Sequence, residues 1–217
     1  MKRAVYFFLV SLLVFTSCKK SGNPISPSDE SASITYEGKV YHTIKIGTQT
    51  WLKENLDVGT MIQGTANPSN NGVIEKYCYG NDTANCSKYG GLYQWSEAMA
   101  YDTIEGTKGI CPTGWHIPTK AEFDTLVTAV QYNGNSLKAV GQGTGDSVGT
   151  NTSGFSALFA GYRSVDGSLI TLGSSTVFWS STEDRGAYAY GFALWDYSSS
   201  TSYDRKEFGS SIRCIKD

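Results

Sequence analysis

Four cysteines, Cys78, Cys86, Cys111 and Cys214, stand in a chain whose first residues read as an export leader, and together these features restrict the fold. Lys2 and Arg3 precede an apolar run from Val5 to Phe15 that only Ser11 interrupts. A helix needs about 20 residues to cross a bilayer, so this run is a leader and not a span. An even number of cysteines in an exported chain implies disulfides, here two, for which three connectivities exist. A zinc site is the alternative, but the intervening stretches are 7, 24 and 102 residues long, and neither histidine sits beside a pair. That spacing contains no Cys-x₂₋₄-Cys knuckle. The expected pairs are Cys78–Cys86, bracketing a turn-rich segment whose ends must be close, and Cys111–Cys214, tying the approach to a helix to the closing strand.

Thr16-Ser17-Cys18 ends the apolar run, and Val14 to Cys18 resembles a bacterial lipobox, with Phe15 where leucine is usual. The resemblance implies cleavage before Cys18 and a diacylglycerol on its thiol. Residues 1–17 are then a signal peptide and 18–33 a lipidated cysteine and flexible tether, rich in Ser, Pro, Gly and Asn. Residues 34–217 form the domain. The expected partner at this end is a lipid bilayer. The expected location is the cell envelope, lipid-anchored at the outer membrane, on its periplasmic face or at the cell surface.

Charged residues make up 18% of the chain, low enough to exclude charge-driven disorder for its bulk. Eighteen basic against 20 acidic side chains and a pI near 5.7 give no electrostatic footprint for nucleic acid, which is not an expected partner. Small polar residues interleaved with 14 Tyr and 5 Trp read as short strands, many turns and an extracellular surface.

The pattern predicts an α+β domain of small antiparallel sheets with two helices and long loops. Strands fill 34–56, with Val40, His42, Ile44 and Ile46 on one face. Residues 60–90 are a long irregular excursion. Leu92, Trp95 and Met99 mark a first helix. Thr119 and Glu122 form a capping box that opens a second, with Phe123, Leu126, Val127 and Val130 on its inner face and Gly134 as its stop. Loops and short strands occupy 135–176. Tyr188, Tyr190, Phe192 and Leu194 then alternate with Ala187, Ala189, Gly191 and Ala193, a Ser-rich turn follows, and Ser210–Ile215 closes a sheet in which the chain ends meet.

Six segments, GTQTWLKENL (47–56), KYGGLYQWSEAM (88–99), GICPTGWHIPTKAEFDTLV (109–127), GFSALFAGYR (154–163), FWSSTE (178–183) and SSIRCIKD (210–217), together resemble the Fibrobacter succinogenes major paralogous domain of exported Fibrobacter and Bacteroidetes lipoproteins. Phe159 departs from it, standing where that family usually has proline. More distantly, the Trp-Ser-Glu-Ala helix and the terminal Ile-Arg-Cys are similar to the formylglycine-generating enzyme/C-type lectin fold group. That likeness implies long loops above a small sheet as the binding region. It does not bring the oxidase chemistry, because Cys214 has no second cysteine four or five positions away.

Catalytic signals are thin. No G-x-S-x-G elbow or H-E-x-x-H is present, and His116, between Trp115 and a helix cap, reads as structural. Glu183-Asp184 and Glu54 are carboxylates of the solvated kind, not a spaced glycosidase pair. No catalytic residue, resident cofactor or metal is expected. Calcium is the one candidate, through oxygens of Asn81, Asp82 and Asp196, without an EF-hand loop or a lectin sugar–calcium triplet. The expectation is a lipid-anchored binding or adhesion module that recognises a carbohydrate or peptide without catalysis. Trp179 supplies a stacking face, Arg163 and Glu183 orient the ligand, and Tyr188 completes the site. The alternative is a structural surface or assembly protein without a small ligand.

Overall fold

Ser33–Tyr36 (β1), Lys39–Ile46 (β2) and Gln49–Leu52 (β3) form an antiparallel meander at the start of the part of the chain, Met1 and residues 32–217, that this computed structural model describes. The two-residue turn Glu37-Gly38 has φ of 48° and 75°, the double positive φ of a type I′ turn, whose twist matches that of the strands it joins. The expected apolar face of β2 is not the buried one along its whole length. Val40 and His42 are exposed, while Tyr41 is fully buried. The reason is that the sheet packs on both sides: Leu52 and Tyr41 face one cluster, and Ile46 and Trp51 face the other. A period of two in β2 therefore does not separate one buried face from one solvent face.

The excursion after β3 is more ordered than its composition implies. Thr60–Met61 (β4) pairs in parallel with Glu75–Lys76 (β5), and Thr83–Tyr89 forms a helix, α1. Its sequence has no apolar period. Local devices make it: the Asp82 side chain accepts the Ala84 N–H at 2.9 Å, and Gly90 ends it at φ 84°. The Cys78–Cys86 disulfide, with Cα atoms 5.0 Å apart, staples it to the preceding turn.

The helix expected on Leu92, Trp95 and Met99 is a strand, Leu92–Gln94 (β6), running into one helical turn, Trp95–Ala98 (α2). The three apolar side chains are all buried, but Ala100 and Tyr101 take φ of 52° and 61° and stop the helix there. Trp115–His116 (β7) precedes the second expected helix, Lys120–Ala129 (α3), whose Thr119–Glu122 capping box makes both reciprocal bonds. Positive φ at Gln131 and Tyr132 ends α3 before Gly134.

Tyr162–Arg163 (β8) and Leu169–Ile170 (β9) lead into the long strands Ser175–Arg185 (β10), Tyr188–Trp195 (β11) and Ser199–Arg205 (β12). The Ser-rich segment expected as a turn is thus mostly a strand. Gly209–Ser211 (β13) and Ile215–Lys216 (β14) finish the chain. One sheet runs β1-β2-β3-β14-β7, so the two ends of the domain meet as expected. A second runs β12-β11-β10-β13-β8-β9, with β6 on β13. The described residues are a mostly β, α+β domain with three short helices.

Two apolar clusters hold it. One gathers Tyr41, Leu52, Trp95, Met99 and Trp179 around the Cys111–Cys214 disulfide. The other is a chain of rings: Trp51 lies 5.4 Å from Phe123, Phe123 5.2 Å from Phe192, and Trp51 5.6 Å from Phe155. Such contacts contribute about 0.5–1.5 kcal/mol each beyond the area they bury.

Candidate functional site

The four residues expected to line a ligand site do not come together. Trp179 is completely buried, and its indole N–H donates to the Tyr93 carbonyl at 2.9 Å, so it offers no stacking face. Arg163 is also internal. Its Nε donates to the Gly64 carbonyl at 2.8 Å, its Nη1 to the Glu207 carbonyl at 3.0 Å, and its plane lies 4.8 Å from the Tyr77 ring. It pins the loop around Gly64 to the sheet. Glu183 and Tyr188 are at the surface, Glu183 in an ion pair with Lys206 at 2.6 Å and Tyr188 beside Tyr203 on the β10–β11 hairpin. Two internal and two external side chains make no site.

The calcium oxygens are likewise committed. The Asp196 carboxylate accepts both the backbone N–H and the hydroxyl of Thr144, Asp82 caps α1, and Asn81 Oδ1 accepts the Gly64 N–H. Among the described residues no group of three or more His, Cys, Asp or Glu side chains could hold a metal. Cys18, the expected lipid attachment point, lies outside the described residues.

A concave site does form on the same sheet, on the face of β11 opposite to Tyr188. β11 alternates large residues with Ala189, Gly191 and Ala193, and the register places Ser202 opposite Gly191 and Asp204 opposite Ala189. Side chains directly opposite on neighbouring strands share a face. The missing Cβ at Gly191 matters here: one would lie 3.2 Å from Val177 Cγ1 and 3.3 Å from Ser202 Oγ. A groove of 120 Å³ remains, lined by Tyr162, Phe208, Trp195, Val177, Ser202 and Asp204. The Tyr162 and Phe208 rings are 5.7 Å apart and tilted at 53°, forming one wall. Trp195 is 38% exposed, so part of its ring is open to solvent.

The polar groups in this groove are under-satisfied. Ser202 Oγ is buried and has no hydrogen-bond partner among the described residues. Asp204 has no cationic partner there, and burial pushes its carboxyl above the usual range. An acceptor and a hydroxyl beside aromatic faces suit a ligand that carries both C–H surface and hydroxyl groups. Of these residues, Trp195 stood out in the sequence as one of several aromatics in the Ser- and Gly-rich region. Asp204 and Ser202 gave no signal, since only the β11–β12 register sets them side by side.

No curated protein and no solved structure matches this chain. A family model, described as the Fibrobacter succinogenes major domain, matches residues 44–216, from the middle of β2 through β14. That match takes in the second sheet, β3, β7 and β14 of the first, both disulfides and the groove, and on it the chain belongs to the Fibrobacter succinogenes major domain family.

Proposed function

We propose that this domain is a lipid-anchored, extracytoplasmic binding module that takes a sugar unit in the Trp195–Asp204 groove without turning it over. The observation that carries this reading is the pairing of a half-buried carboxylate lacking a cation with an open indole and a Tyr–Phe wall. Aromatic rings would cover the C–H face of the sugar, while Asp204 and Ser202 would hydrogen-bond its hydroxyls. A peptide ligand fits less well, because the groove is short. At 120 Å³ it holds little more than one ring, so affinity is weak, roughly micromolar to millimolar, and many anchored copies would supply avidity.

The apolar run before Cys18 supports the anchor, through acylation at that cysteine and attachment at the outer membrane. A mostly β domain with few helices and long loops is compatible with the distant likeness to the C-type lectin and formylglycine-generating enzyme folds. The test is a glycan array probed with the intact protein and with Asp204→Asn and Trp195→Ala. Loss of the same glycan signal in both variants, with folding unchanged, supports the reading. An array blank for the wild type overturns it in favour of a structural surface protein.

A further inference from the structure

A second concavity lies apart from the groove and shares no residue with it. This cleft of 330 Å³ lies between the start of the first sheet, α1 and the loop that holds Ser156. Four cations line it: Lys39, Lys53, Lys88 and Arg213. Glu54 is the one carboxylate in its lining, and it is already occupied, accepting the His42 backbone N–H at 2.7 Å and facing the His42 ring at 2.8 Å. Lys39 shares Asp57 with Lys76, while Lys53 and Lys88 form no ion pair among the described residues. The chain as a whole carries a net charge of −2, so this positive cleft runs against the overall balance.

Arg213 is the unusual member. It is 1% exposed, its guanidinium lies 4.4 Å from the Phe155 ring and 5.1 Å from the Phe178 ring, and it still lines the cleft. Its donors meet neutral acceptors: Nε and Nη2 donate to Asn55 Oδ1, and Nη1 donates to the Phe155 carbonyl. Three of its five N–H groups are thereby used, and no carboxylate accepts a hydrogen bond from it. Burial draws its pKa down to about 9, against the pull of Glu54. A buried cation without a counter-ion is destabilising unless something supplies one.

We infer that the cleft is an anionic-glycan site, taking a chain of carboxylate-bearing sugars with one carboxylate against Arg213 and its neighbours against Lys53 and Lys88. Guanidinium N–H groups present a planar fork that matches a planar carboxylate. Apolar surface from Ala139, Leu158 and the Tyr89 ring lies beside the charges, where a sugar ring would rest. A polymer with one charge per ring answers several separated cations, whereas the C-terminus of a peptide brings a single carboxylate. This inference does not rest on the groove being a sugar site.

Calorimetric titration of the intact protein with a uronic-acid tetrasaccharide at low salt tests it. Binding should weaken about tenfold or more in Lys53→Gln/Lys88→Gln, and again at high salt, as expected for several ion contacts. The same oligosaccharide with its carboxyls reduced to alcohols should not bind, and Asp204→Asn should bind the uronate like wild type. Arg213 is left intact because removing a buried side chain packed on the Phe155 and Phe178 rings would unfold the domain. No heat with the uronate, equal binding of the reduced sugar, or undiminished binding by the double variant overturns the assignment. So does tighter binding of a peptide C-terminus or of a sulfated chain of equal charge. Loss on Asp204→Asn alone would move the uronate to the groove and likewise overturn it.

Discussion

The His116 ring sits between two carboxylates, with Nε2 3.1 Å from Glu122 Oε1 on α3 and Nδ1 2.8 Å from Asp217 Oδ1 beyond β14. Charged, the ring donates to both and locks the helix start to the end of the first sheet. The hydrogen bond to Glu122 raises the His116 pKa above its usual value against the opposing effect of burial, and the bond to Asp217 adds to the rise. Burial pushes the Glu122 carboxyl up, but its bonds from His116 and Thr119 outweigh that and leave it lowered.

Stability should therefore depend on pH through this residue. The folded pKa lies above the unfolded value of about 6.5, so the contribution is complete below that pH and is lost as pH rises through the folded pKa. His116→Asn should be less stable than wild type at pH 6 by about 1 kcal/mol and nearly equal to it at pH 9. Urea unfolding at the two pH values reads the difference. A gap that is constant with pH would mean that the ring acts by packing alone.

Trp179→Ala should cost about 3–5 kcal/mol, the range for emptying a buried aromatic site. Its melting temperature should fall steeply, contrary to what a surface stacking residue would show. Thermal denaturation followed by near-ultraviolet circular dichroism measures it.

Asp204→Asn should separate binding from folding. Removing a desolvated carboxylate that has no cation partner leaves stability within about 0.5 kcal/mol of wild type or raises it at neutral pH. The sugar signal should disappear all the same. A marked fall in melting temperature would make Asp204 structural.

The disulfides should contribute unequally. Cys111–Cys214 closes a separation of 103 residues and Cys78–Cys86 one of 8. The chain-entropy model gives about 4.7 and 2.6 kcal/mol for loops of these sizes. Paired Cys→Ala variants, compared by urea midpoint, should show the long-range bridge as the larger loss by about 2 kcal/mol.

Signals that act over a few residues were legible in the sequence. The Thr119–Glu122 box, the alternation around Phe192 and the Cys78–Cys86 pair belong to this kind, and with that pair closed Cys111 and Cys214 are left for each other. The buried side of β2 was not, because Tyr41 and Ile46 answer to different cores. Nor was the role of Trp179. A Trp in a Ser-rich strand reads the same whether it points at solvent or at Tyr93. The ladder also pairs Trp179 with Gly191 and Glu183 with Ala189, four steps on β10 against two on β11. Residues in that bulge turn to other work: Ser181 N–H donates to the Pro118 carbonyl, and the Thr182 hydroxyl accepts the Lys120 N–H at the start of α3. A site made of Trp179 and Glu183 required a regular strand, and the strand is not regular. Asp204 and Ser202 became neighbours of Trp195 only through pairing across β11, which short-range pattern does not contain.

β13 and β14 lie within eight residues of each other, and each is interior to a different sheet. Until Gly209–Lys216 is in place, β6 and β8 lack the strand that joins them to β10, and β3 and β7 have no bridge between them. Neither half of the molecule can be completed early in synthesis, since the closing contacts join positions as far apart as Trp51 and Ile215. A chain emerging N-terminus first would stay open and pliable until Gly209–Lys216 had followed.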